Sequence, residues 1–351
     1  MVDVWSKPIK PTHKGRQYWG RLATLTFTAL LFALIGSLLG FSYQQAMNYV
    51  HPPRIFATGD SLRANGIEYH EIELITEDGV KLGAWYTPSQ NGAVILVAHG
   101  HADKRAEDFY LLFASHGYGV IAWDFRAHGK SEGDFTTIGY YEVYDVKAAL
   151  DFALAQPEIE HIGGWGGSMG AVTMIRAAAQ YPQIEAVVAD SPFATLEDAM
   201  DLRVPFPILR PLIQFFAEWE TGLSVSLVRP VDDISLISPR PIFIIQGMGD
   251  TAIPLDSGQR LYDAAGEPKS VWTEDDVPHM NMFAYYETRY TNRVIKFFDE
   301  ILLKSLQKDS NAWFILPACN KRDSLSSSRQ GECGSHRRPR PTLQEYLAGF
   351  G

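Results

Sequence analysis

Ser168 lies in Gly166-Gly167-Ser168-Met169-Gly170, a G-x-S-x-G pattern. Residues 160–165 before it read as a short buried strand, and residues 171–179 after it as a helix. The flanking glycines let the chain turn sharply, because there is no Cβ to clash. Such a turn lifts the serine hydroxyl onto a strained elbow. It also sets the positive end of the following helix beside the reacting oxygen. This arrangement suits nucleophilic attack on a carbonyl. A serine is a weak nucleophile alone, so it needs a base, and the base needs an acid to orient it. Asp250, in Gln246-Gly247-Met248-Gly249-Asp250, and His279, in Asp276-Val277-Pro278-His279-Met280, supply those residue types downstream. Asp190, after the strand at 185–189, is a second candidate acid.

The elements that must position these residues follow from hydrophobic periodicity. Residues 72–75 and 81–86 flank the turn Glu77-Asp78-Gly79 and read as a hairpin. Apolar runs at 93–98, 118–123, 160–165, 185–189, 241–246 and 270–273 read as strands. Helical segments fall at 106–116, 141–155, 171–179, 257–264 and 285–304. Apolar strands alternating with helices imply a mostly parallel sheet covered on both faces. Such sheets bind ligands at the carboxyl ends of their strands, and each candidate residue follows a separate strand.

Two parts of the chain stand outside this alternation. Residues 193–239 form an apolar, Pro-rich insertion that reads equally as a lid over the site or as packing against the sheet. Residues 22–41 carry no charge and are mostly apolar. Roughly 20 residues at about 1.5 Å each cross a hydrocarbon core of roughly 30 Å, so this run reads as a transmembrane helix. Lys7, Lys10, Lys14, Arg16 and Arg21 precede it against one acid, Asp3. That bias places residues 1–21 in the cytoplasm and everything after the span outside it. A cleaved signal peptide is the competing reading. The run exceeds a typical h-region of roughly 7–15 residues, and no A-x-A site follows it.

Residues 42–67, with Pro52-Pro53 and Gly59, read as a linker, and 68–306 as the catalytic domain. Residues 307–351 are rich in serine and arginine and read as a disordered tail. The two cysteines, Cys319 and Cys333, both fall there, so the body cannot depend on disulfides or cysteine metal ligands. The net charge of −10 and the lack of a basic stripe argue against nucleic acid as a partner. His99-Gly100-His101-Ala102-Asp103 matches part of an H-x-H-x-D metal motif, but Lys104 follows where that motif continues with histidine. No cofactor and no metal are expected.

Taken in order, the residues resemble the α/β-hydrolase superfamily over about residues 68–305. The resemblance rests on Ala98-His99-Gly100-His101, on Asp124-Phe125-Arg126-Ala127-His128-Gly129-Lys130-Ser131, on the elbow at Ser168, on Asp190-Ser191-Pro192-Phe193, on Gly249-Asp250 with Ile253-Pro254, and on His279. Within the superfamily the chain is similar to the serine aminopeptidase-like branch, some of whose members carry a membrane anchor. Ala127 stands where that family often has glycine. The resemblance implies an eight-stranded, mostly parallel sheet with helices on both faces and a small lid. It implies that Ser168 attacks, His279 takes its proton and Asp250 orients the imidazole. It also implies an oxyanion hole made by the backbone N–H groups of Met169 and His101.

The expected activity is hydrolysis of an ester, thioester or amide through an acyl-enzyme. The substrate would be a small molecule, a lipid or a peptide. The alternative is a catalytically silent hydrolase-fold module that binds a lipid or a partner at the membrane.

Overall fold

The computed structural model describes residues 13–204 and 206–304. Expectations for residues 1–12 and for the tail with Cys319 and Cys333 lie outside them. One eight-stranded sheet organises the chain, with strand order β1-β2-β4-β3-β5-β6-β7-β8. The strands are β1 (His70–Ile75), β2 (Lys81–Thr87), β3 (Ala93–Ala98), β4 (Gly119–Trp123), β5 (His161–Gly167), β6 (Ala186–Asp190), β7 (Ile242–Gly247) and β8 (Lys269–Glu274). The hairpin β1–β2 is antiparallel, and β2 pairs antiparallel with β4. From β4 to β8 every pairing is parallel.

Among the described residues, helices of eight residues or more are α1 (His13–Val50), α2 (Glu107–Ala114), α3 (Glu142–Leu154), α4 (Met169–Gln180), α5 (Leu196–Arg203), α6 (Arg210–Thr221), α7 (Ser257–Ala264) and α8 (Glu287–Phe298). Strand side chains alternate between two faces, and both faces are apolar here. Val94, Leu96 and Ala98 of β3 pack with α3 and α4, while Ala93, Ile95 and Val97 pack with α2 and α8. Two-sided burial explains why these strands read as continuous apolar runs rather than as alternating ones.

The N-terminal helix is longer than the apolar run. α1 continues without a break through Val50, so residues 42–50, read from the sequence as linker, are helical. Ala46 and Val50, four residues apart on one face, bury against Leu209, Ile213 and Ala217 around α6. Burial of that face extends the helix to the residue before His51-Pro52-Pro53. The segment 193–239 contains α5, α6 and several short helical turns between β6 and β7. It packs on α1 and also borders the pocket described below.

The crossing of α4 over the sheet sets the elbow. A Cβ on Gly170 would collide with the carbonyls of Ala98 and His99, and one on Gly166 would strike the Gly170 backbone. Only glycine lets α4 lie this close to β3 and β5. Gly170→Ala should therefore lower unfolding stability by about 1–3 kcal/mol through overpacking, read as a lower midpoint in a urea titration.

Candidate active site

The elbow is built from backbone strain. Ser168 adopts φ 52°, ψ −116°, a conformation L-residues rarely take, between β5 and α4. Its N–H donates to the Asp190 carbonyl at 2.8 Å, and its own carbonyl accepts the Val172 N–H at 3.1 Å. Its hydroxyl donates to His279 Nε2 at 2.9 Å. His279 Nδ1–H in turn donates to Asp250 Oδ2 at 2.6 Å. Asp250 is held on its other side, where Oδ1 accepts the N–H groups of Ala252 at 2.7 Å and Ile253 at 3.1 Å. A carboxylate fixed by two amides can hold the imidazole in one tautomer, with Nε2 free to accept a proton.

The loops carrying His279 and Asp250 are joined backbone to backbone. Met248 N–H donates to the Glu274 carbonyl at 2.8 Å and Gly249 N–H to that of Val277 at 3.0 Å. A Cβ on Gly247 would collide with the Val277 carbonyl, and one on Gly249 would crowd Asp276 at 2.7 Å. The two glycines before Asp250 let the loop after β7 lie against the loop after β8.

Asp190 sits elsewhere. It is fully buried, and it accepts from Tyr290 Oη at 2.8 Å and Ser191 Oγ at 2.9 Å. Burial pushes its carboxyl up to about 6, against those two hydrogen bonds. It holds its carbonyl under Ser168 and makes no hydrogen bond to His279.

The expected oxyanion donors lie beside Ser168. Met169 is the first residue of α4, where helix geometry leaves its N–H without an internal acceptor. His101 follows Gly100, where a Cβ would stand 3.6 Å from Ser168 Cβ. Three histidines hold this loop in place. His99 Nε2 accepts the Phe125 N–H at 2.9 Å and its Nδ1–H donates to the Gly100 carbonyl at 2.7 Å. His128 Nε2 accepts the Ala102 N–H at 3.1 Å and its Nδ1–H donates to the Arg126 carbonyl at 2.9 Å. His101 Nε2–H donates to the Tyr49 carbonyl of α1 at 2.7 Å. Both ring nitrogens of His99 and Nε2 of His101 are thus engaged by backbone groups.

The loop 124–131 supports this arrangement. Ala127, standing where glycine was expected, takes φ 61°. That left-handed conformation is the reason glycine is favoured at this position.

A pocket opens in front of Ser168, His101 and Met169. Most of its walls are apolar, including Phe193, Leu196, Met200, Ala217, Val225 and Val228. The end of α1 contributes Tyr49 and Val50. Thr136, Thr137 and Ile138 form another side, fastened by the buried Glu142. Its carboxylate accepts from both threonine hydroxyls and from the N–H groups of Thr137 and Gly139. Burial pushes the Glu142 carboxyl up, but these bonds outweigh it and hold it below the usual range.

Arg203, at the end of α5, also lines the pocket. Its Nε donates to the Ala252 carbonyl at 3.1 Å, and it pairs with no carboxylate among the described residues. Sequence reading missed Arg203, Glu142 and Tyr49. Only Glu142 carried a signal, a Thr-Thr-Ile-Gly turn leading into a helix.

The loop histidines make stability depend on pH. Burial pulls His99, His101 and His128 down to about 4 from an ordinary 6.5. Above 6.5 both folded and unfolded chains hold them neutral. As pH falls through 6.5 the unfolded chain takes up protons first, so stability drops until about 4, where the folded histidines charge as well. The loss is up to about 3 kcal/mol for each ring. Urea unfolding at pH 5 should take up about one proton fewer in His128→Gln than in the wild type, and the two should not differ at pH 7.5.

Comparison with known proteins agrees with this architecture. A family profile described as serine aminopeptidase, S33 matches residues 89–238. A solved esterase of Pyrococcus furiosus superposes with a TM-score of 0.61 at 28% identity, over 72% of this chain and 99% of the esterase. An uncharacterized protein of Mycobacterium tuberculosis is 27% identical over 269 residues, which is 74% of this chain and 89% of that protein. A lysophosphatidylserine lipase of Danio rerio is 25% identical over 232 residues, 58% of this chain and 60% of the lipase. With the sheet order, the elbow and these likenesses together, the chain belongs to the α/β-hydrolase superfamily.

Proposed function

We propose that the chain is a membrane-anchored serine hydrolase that cleaves acyl esters of an amphiphilic substrate. The hydrogen-bonded series Asp250–His279–Ser168 at the floor of an apolar pocket carries this reading. Ser168 Oγ attacks the acyl carbonyl carbon while His279 Nε2 takes the hydroxyl proton. The N–H groups of Met169 and His101 receive the developing oxyanion. The imidazolium, steadied by Asp250, gives its proton to the leaving alcohol. Water, activated by the same imidazole, then hydrolyses the acyl-serine and restores the hydroxyl.

The pocket supports the choice of ester. A pocket walled mainly by apolar side chains suits an acyl chain. Its lining contains the Arg203 cation and no carboxylate, which disfavours a substrate bound by a free amine and favours one bearing an anionic group. The Pyrococcus furiosus esterase and the Danio rerio lipase act on the same class of bond by their names. The uncut anchor is supported by α1 itself, which runs from the apolar stretch into the pocket wall as one helix. The basic residues before the span support a catalytic domain outside the cytoplasm.

A fluorophosphonate probe should label the wild type and spare Ser168→Ala. That variant should also lose about 10⁴–10⁶ in kcat on a p-nitrophenyl ester. Equal labelling of both proteins would refute the mechanism. Arg203→Ala should raise KM for an anionic lysophospholipid by about 10-fold or more, the worth of a charged hydrogen bond, and leave KM for a neutral monoacylglycerol nearly unchanged. Equal changes on both substrates would remove Arg203 from headgroup recognition.

A further inference from the structure

Helix α6 carries two apolar faces, and only one of them is covered. Leu209, Ile213 and Ala217, spaced by four, are buried against α1. On the other side of the helix Phe215 and Trp219 are 59% and 69% exposed, and Phe206 and Ile208 just before it are 55% and 87% exposed. A contiguous group of large apolar side chains is costly to leave in water and marks a contact surface.

The position of this face points to what covers it. Phe206 packs edge-on against Phe41, with ring centroids 5.9 Å apart. Phe41 is the last residue of the uncharged run 22–41. Phe216 packs against Tyr43, one half-turn further along α1, at 5.5 Å. If residues 22–41 cross the hydrocarbon, Phe41 marks the depth at which the helix leaves it. The start of α6 then lies at that same depth. The exposed face of α6 is continuous with the lipid-facing surface of α1, where Leu38, Leu39 and Phe41 are also exposed. Trp219 is the residue type most suited to the boundary between acyl chains and headgroups.

We propose that the α6 face bearing Phe206, Ile208, Phe215 and Trp219 is embedded in the bilayer leaflet from which α1 emerges. Phe206 lies deepest, and Trp219, next to the Glu220 that bonds His51 beyond Phe41, lies at the headgroup level. This rests on the reading of α1 as an uncut membrane span. The same two helices form one wall of the pocket, through Tyr49 and Val50 of α1 and Ala217 of α6. An acyl substrate would pass from the leaflet to Ser168 along that wall without crossing water. The lid is then a membrane contact rather than a cover that opens to solvent.

The test uses the full chain in phosphatidylcholine nanodiscs, in a Cys319→Ser, Cys333→Ser background. Single cysteines carrying an NBD fluorophore are placed at Phe215→Cys and Trp219→Cys. Leu30→Cys serves as the mid-span control, and Glu160→Cys, at the sheet end away from the site, as the aqueous control. Lipids with a nitroxide near the headgroup end of the acyl chain should quench positions 215 and 219 at least about fivefold more than position 160. No quenching at 215 and 219, with Leu30→Cys quenched by deep nitroxides, overturns the proposal and leaves the anchor intact. No quenching at Leu30→Cys overturns the anchor as well. A blue-shifted but unquenched label at 215 or 219 means that another protein molecule covers the face, which also overturns it.

Phe215→Ser with Trp219→Ser provides the functional arm. Turnover of a bilayer-embedded long-chain ester should fall about tenfold, while turnover of a soluble p-nitrophenyl acetate stays within about twofold. Unchanged turnover of the bilayer ester, or an equal loss on both substrates, overturns the role in substrate delivery.

Discussion

The approach of Gly170 to the carbonyls of Ala98 and His99 is the contact on which the rest of the site depends. It lets α4 begin directly against the end of β3. That placement brings the Met169 N–H, the Ser168 hydroxyl and the 99–101 loop to one point. It also forces Ser168 into a positive φ, which only a rigid surround can maintain. The surround is the two-sided core of the sheet, with Asp190 and β6 beneath the serine. Strain at one residue is thus supported by packing of many.

A second constraint of the same kind joins the acid to the base. The glycines at 247 and 249 allow two loops to hydrogen-bond through their backbones, so Asp250 and His279 meet although 29 residues separate them. Neither side chain is free to search for its partner. The order of the imidazole comes from amides on Asp250, and the order of those amides comes from the strand ends. The histidines at 99, 101 and 128 act similarly for the oxyanion loop. Each is neutral and bonded to the backbone, so the loop is held without a charge beside the reacting oxygen.

The N-terminal helix joins two features of the chain. It is long and apolar enough to cross a membrane in its first part, and it walls the pocket in front of Ser168 in its last. The Tyr49 carbonyl accepts from His101, so the end of α1 touches the loop proposed to stabilise the oxyanion. Where such a helix spans a bilayer, it fixes the distance and direction of the pocket relative to that bilayer. A flexible linker, as residues 42–50 read from sequence, would leave both undefined.

The residue pattern alone determined the strands, because two-sided burial leaves an unbroken apolar run that few other environments favour. It also determined the elbow and the downstream Asp250 and His279, since each is tied to local glycine and strand-end signals. The uncharged span 22–41 was equally legible from its length. Tertiary structure decided the rest. Helicity at 42–50 comes from burying Ala46 and Val50 on α6, a contact made with residues more than 150 positions away. Arg203 faces the pocket only because α5 folds back over the strand ends, and no local pattern marks it. The double-sided α6 reads as one apolar, Pro-rich stretch until α1 covers half of it. Local periodicity records which residues avoid water. Which surface shields them, and which is left for a membrane, depends on contacts between elements distant in the chain.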